Sequence, residues 1–199
     1  MNELIKEVEY EEIIKGSRFL SELLICKTQA EARDIIKAQK AKYADATHVV
    51  HAFIVGNNAE VMGMSDDGEP SGTAGRPALD VLKGRNCTNL ILTITRWFGG
   101  TLLGTGGLVK AYGNGAKQVL EKAAAENAFE PIIAKKDFVF SVDYSLLKPI
   151  KRNLENYDLW NLTETFDTEV TLSGQIKEEQ FDSLAAYLKE ASNGKIVLK

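Results

Sequence analysis

The residues of this chain that could bind a ligand or do chemistry lie mainly in two loops. The first loop, residues 99–107, is rich in glycine and comes shortly after the apolar strand predicted at residues 90–95. At the start of a helix, such a loop can hold an anion with its backbone N–H groups and the helix dipole. The candidates for this role are Gly99, Gly100, Gly104, Gly106 and Gly107.

Neither common nucleotide-binding pattern occurs in this glycine-rich loop. No lysine stands where a loop of the Gly-x-x-x-x-Gly-Lys-Ser/Thr type needs one, and the glycines are not spaced as Gly-x-Gly-x-x-Gly. Glycine also allows tight turns and close packing of a helix against a sheet. The loop therefore predicts either an anion-binding backbone or a purely architectural turn.

The second loop carries three carboxylates within four residues, Asp66, Asp67 and Glu69. Carboxylate oxygens can bind a divalent cation, but the alternating acids of a calcium loop are absent. The same residues are typical of an aspartate turn followed by an anion at a helix start. Together with Trp97, they are the candidates for a cleft between residues 65–76 and 96–110.

The histidines and cysteines do not have the spacing of a metal site. His48 and His51 lie three residues apart on a predicted strand, so their side chains point to opposite faces. Cys26 and Cys87 lack ligand spacing, and Cys87 could be a nucleophile only beside a histidine. The sequence therefore assigns no catalytic residue, metal or cofactor, and it favours a buried, structural Cys87.

Charge is unevenly distributed along the chain, whose net charge is −4. Residues 1–70 carry 8 basic and 13 acidic side chains, whereas residues 71–122 carry 7 basic and 2 acidic ones. A locally positive surface favours an anionic partner, although ordinary surface lysines explain the count equally well. Trp97 and Phe98 could stack on bases or pack in the core. The basic candidates for contact with an anion or RNA are Arg76, Arg96, Lys110 and Lys117.

The apolar pattern predicts the elements that position these residues. Strands are expected at 4–10, 19–26, 49–55, 60–64 and 90–95, and helices at 28–43, 77–83 and about 107–127. Thr28 and Glu31 form a capping box at the first helix. After residue 130 glycine nearly disappears, and the pattern predicts a β-α-β-β-α-β order that ends in a strand at 195–198, as in the ferredoxin-like split unit.

These elements predict an α+β protein with two domains, residues 1–130 and 131–199. Hydrophobic residues make up 44% and charged residues 26% of the chain, which is typical of a globular protein. The longest apolar stretch, residues 90–95, is too short to span a membrane, and the first residues do not resemble a secretory signal. Two cysteines suggest no disulfide scaffold, so a cytoplasmic protein is expected.

Three sequence stretches carry a resemblance to a known family. They are residues 65–77 (SDDGEPSGTAGRP), 95–100 (TRWFGG) and 103–112 (LGTGGLVKAY). In content, order and spacing they resemble the YigZ/IMPACT family over about residues 15–125, and the rest resembles the C-terminal domain of its bacterial members. The family commonly has tyrosine where this chain has Trp97, so the aromatic ring is kept and the hydroxyl is lost.

The resemblance implies a fold and a function for each part. The first domain should have the β-α-β fold shared by a ribosomal protein domain and a domain of translocating elongation factors, and the second should resemble the last domain of elongation factor G. Eukaryotic relatives regulate translation by interfering with activation of a kinase that phosphorylates an initiation factor. A non-enzymatic, translation-associated binding protein is therefore implied.

Two functions follow from these observations. In the first, the basic, glycine-rich face contacts RNA, the ribosome or an acidic protein partner. In the alternative, the cleft between residues 65–76 and 96–110 binds or hydrolyses a small molecule, such as a nucleotide or a phosphorylated metabolite. The first is favoured because no acid–base pair of clear geometry can be named.

Overall fold

A computed structural model describes residues 1–198 and divides the chain into two compact units, Met1–Ile132 and a second unit that begins at Ile133. Both units contain helices and sheets, so the α+β class with two domains that the sequence predicts is confirmed. No helix within residues 1–198 is long and apolar enough to cross a membrane.

A five-stranded antiparallel sheet forms the centre of the first unit, and its spatial order is β2-β3-β7-β4-β5. A second, three-stranded sheet has the order β6-β1-β8. The strands of this unit are β1 (Asn2–Leu4), β2 (Val8–Ile14), β3 (Ser17–Ile25), β4 (His48–Val55), β5 (Val61–Ser65), β6 (Cys87–Thr88), β7 (Leu90–Trp97) and β8 (Phe129–Pro131). The central strand β7 is buried along almost its whole length, as its apolar sequence predicts.

The single strand predicted at 4–10 is wrong, because the structure divides it between the two sheets. Leu4 ends β1, which pairs with β6 and β8, whereas Val8 begins β2, which pairs with β3. Strands of two or three residues show no alternation that could reveal them, and for this reason β6 and β8 were not expected either.

Helices cover both faces of the large sheet. They are α1 (Gln29–Lys42), α2 (Gly75–Lys83) and α3 (Thr105–Ala125). Helices α2 and α3 contact each other and bury one face of the sheet, whereas α1 packs on the other face against β4 and β7. Thr28 Oγ1 caps α1 by accepting the amide of Glu31 at 3.1 Å, and the Glu31 carboxylate accepts the amide of Lys27 at 2.8 Å.

The second unit contains a three-stranded antiparallel sheet in the order β10-β11-β9 and two helices. Its elements are β9 (Lys135–Val142), α4 (Tyr144–Leu154), β10 (Leu159–Phe166), β11 (Val170–Lys177) and α5 (Phe181–Ala191). They reproduce the first five elements of the ferredoxin-like split unit. The strand predicted at 195–198 does not form, since the amide of Ile196 donates to Ser192 Oγ at 2.8 Å instead of to a neighbouring strand.

Candidate functional site

A pocket of about 450 Å³ lies between the loop that precedes α2 and the loop that precedes α3. Its wall is largely apolar and includes Phe98, Leu102, Leu103 and Leu108. Glu69, Arg96 and His48 also line it, together with Gly104 and Thr105 at the start of α3. The pocket therefore combines an apolar wall with buried charged groups and the N-terminus of a 21-residue helix.

Glu69 and Arg96 form a buried ion pair in this pocket. Arg96 Nη1 lies 2.7 Å from Glu69 Oε1, and the side chains are only 6% and 3% exposed. The Tyr112 hydroxyl donates to the same oxygen at 2.7 Å, and Arg96 Nη2 donates to Ser17 Oγ at 3.3 Å. Arg96 Nε has no hydrogen-bond partner among residues 1–198. Burial and the neighbouring Glu69 raise the pKa of Tyr112 far above its usual value.

His48 and Asp67 connect this ion pair to the loop backbone. His48 Nδ1 lies 2.8 Å from the carbonyl oxygen of Asp67, and its Nε2 lies 3.8 Å from Glu69 Oε2. Since a carbonyl only accepts, Nδ1 carries the proton. The Asp67 carboxylate accepts the amide of Val49 at 2.7 Å and also contacts the Lys40 ammonium. These carboxylates are therefore engaged within the protein.

Asp66 fixes the loop that leads into α2. Its carboxylate accepts the amides of Gly72, Ala74 and Gly75 at 2.8, 3.0 and 2.8 Å. Burial alone would raise the pKa of Asp66, but the three amide hydrogen bonds together lower it below its usual 3.8. The interpretation of this acid as a turn and helix-start anion is confirmed, because two of the amides begin α2.

The start of α3 is open and carries no acid. Gly104 has a φ of +74°, the left-handed region that favours glycine, and no side chain caps the helix. No acidic residue stands in its first turn, so the positive end of the helix dipole is not neutralised there. A Cβ at Gly106 would meet nothing within 4 Å, so the space above this turn is free.

The other glycines of the loop have different surroundings. A Cβ at Gly99 would lie 1.9 Å from the carbonyl carbon of Gly16, so this glycine allows two backbones to approach closely. Gly100 has a φ of +85°, and a Cβ at Gly107 would lie 3.1 Å from Leu103 Cβ. At Gly99 the architectural interpretation holds, whereas a Cβ at Gly104 or Gly106, at the start of α3, would meet no other atom within 4 Å.

The basic face predicted from the sequence is smaller than expected. Arg96 is buried, so its prediction as part of an exposed face is wrong: the carboxylate of Glu69, 27 residues away, draws it inward. Arg76 is exposed but places Nε 3.0 Å from the Asp80 carboxylate, and it does not bridge the two loops. Lys117 Nζ lies 3.8 Å from Glu121 Oε1. Lys110 is exposed and forms no ion pair within residues 1–198.

Trp97 does not line the pocket, which corrects its assignment to the cleft. It follows Arg96 on β7, and successive strand residues point to opposite faces. The Arg18 guanidinium lies 3.6 Å from the centre of its ring, and its indole N–H donates to Asp45 Oδ2 at 2.9 Å. Trp97 stands where the family commonly has tyrosine, and a packing role for its aromatic ring remained possible. The structure shows this packing.

Sequence reasoning missed Tyr112, Ser17 and Leu102 as parts of this region. Tyr112 lies on the buried face of α3, where a hydroxyl among alanines and leucines signals a buried polar partner. Leu102 is 82% exposed and Phe98 is 47% exposed, and the signal for them is their position within and directly before a glycine-rich loop. We call Phe98, Leu102, Gly104, Gly106 and Lys110 the glycine-loop surface.

Cysteine and metal chemistry find no geometric support in the described part of the chain. Both thiols are free and buried, and burial raises the pKa of Cys26 and of Cys87 to about 11. A buried structural Cys87 is thus confirmed. Within residues 1–198, no group of three or more histidine, cysteine, aspartate and glutamate side chains could hold a metal ion.

Comparisons with known proteins agree across almost the whole chain. The Impact N-terminal domain matches residues 15–120, and a domain of unknown function, DUF1949, matches residues 140–195. An IMPACT family member from Haemophilus influenzae is 35% identical over 96% of this chain and 92% of its own length. The IMPACT family member YvyE of Bacillus subtilis is 33% identical over 98% of this chain and 88% of its own length. The IMPACT family member YigZ of Escherichia coli is 32% identical over 94% of this chain and 91% of its own length.

A solved structure shares this architecture. The crystal structure of a hypothetical protein matches 99% of this chain and 95% of its own, with a TM-score of 0.70 and 30% sequence identity. The matched residues therefore lie in both units.

Proposed function

The chain belongs to the IMPACT family, and we propose that it is a non-enzymatic regulatory binding protein of translation that contacts its partner through the glycine-loop surface. The proposal implies a cytoplasmic protein. The observation that carries it is the exposure of Leu102 and Phe98 beside the uncapped start of α3. Phe98 and Leu102 line the same pocket, and contiguous exposed apolar surface marks interaction sites.

The charges around the surface support an anionic partner. The amides that begin α3 offer hydrogen-bond donors and a positive dipole, and Lys110 adds an exposed cation one turn along the helix. An acidic protein segment with an apolar side chain would use both the charge and the apolar wall of the pocket. RNA would use the amides and Lys110 and could stack on Phe98, but it would leave Leu102 without a partner.

The acidic residues support a binding role over a hydrolytic one. A general acid or base needs a proton that it can exchange with a substrate. The carboxylate of Glu69 is paired with Arg96 and Tyr112, and that of Asp66 is held by three backbone amides. Both carboxylates are engaged in hydrogen bonds that hold the loops, which favours a structural role for them.

Cosedimentation with purified ribosomes tests the proposal. Leu102→Ser and Lys110→Gln should lower the bound fraction, whereas Ile13→Ser and Lys37→Gln should not. Ile13 is 71% exposed and Lys37 is also exposed, and both lie in other elements. The proposal would be contradicted if the two control substitutions lowered ribosome binding as much as Leu102→Ser and Lys110→Gln do. It would also be contradicted if the wild type did not bind.

Filter binding to ribosomal RNA at two salt concentrations separates the two partner classes. Contact with RNA phosphates predicts strong weakening by salt and by Lys110→Gln. Contact with a protein predicts that naked RNA binds poorly and that Leu102→Ser has the larger effect on ribosomes. Arg96 is unsuitable for this test, because its substitution would disturb the buried ion pair.

A small anion in the pocket is the second candidate function. It is favoured by the unpartnered Nε of Arg96, which lines the same pocket as the first residues of α3. A thermal-shift screen with nucleotides, phosphorylated metabolites and divalent metals tests it. We expect a bound anion to raise the melting temperature of the protein, and a flat screen would contradict this function.

A further inference from the structure

A second pocket of about 450 Å³ lies on the face of the large sheet opposite the glycine-loop surface. It is formed by Glu7 and the start of β2, by β3 and by the last turns of α1. Three carboxylates line it, with an amide and one ammonium group. These residues are Glu7, Glu9, Glu22, Gln39 and Lys42. We call this cavity the acidic pocket.

Two of the carboxylates stand directly opposite each other in the sheet. Glu9 of β2 pairs with Glu22 of β3 in the antiparallel register, so both side chains lie on the same face. Like charges in such a cross-strand pair destabilise a sheet. A cation between them would turn this repulsion into attraction.

The hydrogen bonding of Glu22 is incomplete, although the residue is only 4% exposed. Its Oε1 accepts from Lys42 Nζ at 2.9 Å and from the Tyr43 hydroxyl at 3.0 Å. Its Oε2 is buried and has no partner among residues 1–198. Buried polar atoms are nearly always hydrogen-bonded, so this oxygen indicates a missing donor.

Gln39 presents a second acceptor of the same kind. It is 6% exposed, it lines the acidic pocket from α1, and its Oε1 also has no partner within the described residues. The polar row continues beneath α1, since Glu22 pairs with Thr93 and Thr93 pairs with His51 across the sheet. Thr93 Oγ1 and His51 Nδ1 are likewise unpartnered there. The pocket is also lined by Val8 and Leu24, so its charged and polar side chains favour a ligand that combines charged groups with a short apolar chain.

We propose that the acidic pocket binds a small aliphatic diammonium compound, a diamine or polyamine. Three carboxylates against one ammonium give the lining side chains a net charge of −2, which a dication neutralises. An ammonium group supplies three donors and no acceptor, which suits two orphaned oxygens. A metal ion suits the pocket less well, because no cluster of metal ligands exists within residues 1–198.

Isothermal titration calorimetry with 1,4-diaminobutane tests this site. Glu22→Gln keeps the shape of the side chain and should weaken binding by about tenfold or more, because it removes a charged acceptor. Glu9→Gln, at an exposed position, should weaken binding about two- to fivefold. Glu11→Gln is the matched control, since Glu11 lies two residues further along β2, outside the pocket and near Arg18, and it should bind as the wild type does.

Three probe molecules distinguish a site for two ammonium groups from a site for one ammonium group or for an uncharged chain. 1-Aminobutane should bind several-fold more weakly than the diamine, and 1,4-butanediol, which has no charge, should not bind. Circular dichroism verifies that each variant is folded, and Glu9→Gln keeps the test decisive if Glu22→Gln unfolds. Equal binding of the monoamine and diamine, equal weakening by Glu11→Gln, or no heat from the diamine would overturn the proposal.

Discussion

Replacing Arg96 by methionine should destabilise the first unit far more than the same replacement at Arg76. Arg96 and Glu69 are buried to more than nine-tenths, with 2.7 Å between Nη1 and Oε1. The substitution leaves a carboxylate buried without its cation, a change that typically costs about 3–5 kcal/mol of folding free energy. The Arg76–Asp80 pair is 60% and 52% exposed, and losing it should cost at most about 0.5 kcal/mol.

A double-mutant cycle isolates the pair itself. In Arg96→Met with Glu69→Met no buried charge remains, so the double variant should lose less stability than the sum of the single variants, by about 1–3 kcal/mol. Urea unfolding is followed by the fluorescence of Trp97, in a Trp160→Phe background so that only the first unit reports. A cost below about 1 kcal/mol for Arg96→Met, or additive single effects, would refute the reasoning.

Three further predictions concern stability and reactivity. Gly106→Ala should raise the free energy of unfolding by up to about 1 kcal/mol in urea titrations, because its Cβ enters open space in a helix. Burial and nearby Lys40 lower the pKa of His51 from its usual 6.5, so the unfolded chain takes up that proton at higher pH than the folded protein. Urea midpoints should therefore fall as the pH drops below about 6.5, and less so in His51→Gln. With pKa values of about 11, Cys26 and Cys87 should react with a disulfide reagent at pH 8 only after unfolding.

The sequence predicts the elements that have strong local signals. The Thr28 cap, the apolar strand β7 and the long helix α3 are where the patterns indicate, because periodicity and capping are local properties. The short strands of the small sheet lack such signals. The last predicted strand fails for another reason: Ser192 offers the amide of Ile196 a hydrogen bond four residues away, which no alternation pattern records.

The pairing of charges was less predictable than the loops that carry them. The two loops were identified from their glycines and carboxylates, and the structure places a pocket between them. Whether Arg96 points to solvent or to Glu69, however, depends on contacts between residues 27 positions apart. Counting positive charges in a window therefore overstated the basic face, since the count treats a neutralised, buried arginine as a free surface cation.

The buried charges and the exposed apolar side chains are parts of one arrangement. Ser17 Oγ accepts the amide of Gly99 at 3.2 Å, and Thr47 Oγ1 accepts that of Phe98 at 3.0 Å, so the backbone that leaves β7 is fixed before Leu102 is reached. The Arg96 guanidinium lies 5.6 Å from the centre of the Phe98 ring. Binding is stronger when a surface loses little conformational freedom on contact. Under the proposed function the polar network serves recognition indirectly, because it fixes the backbone that leads to Leu102 beside the uncapped start of α3.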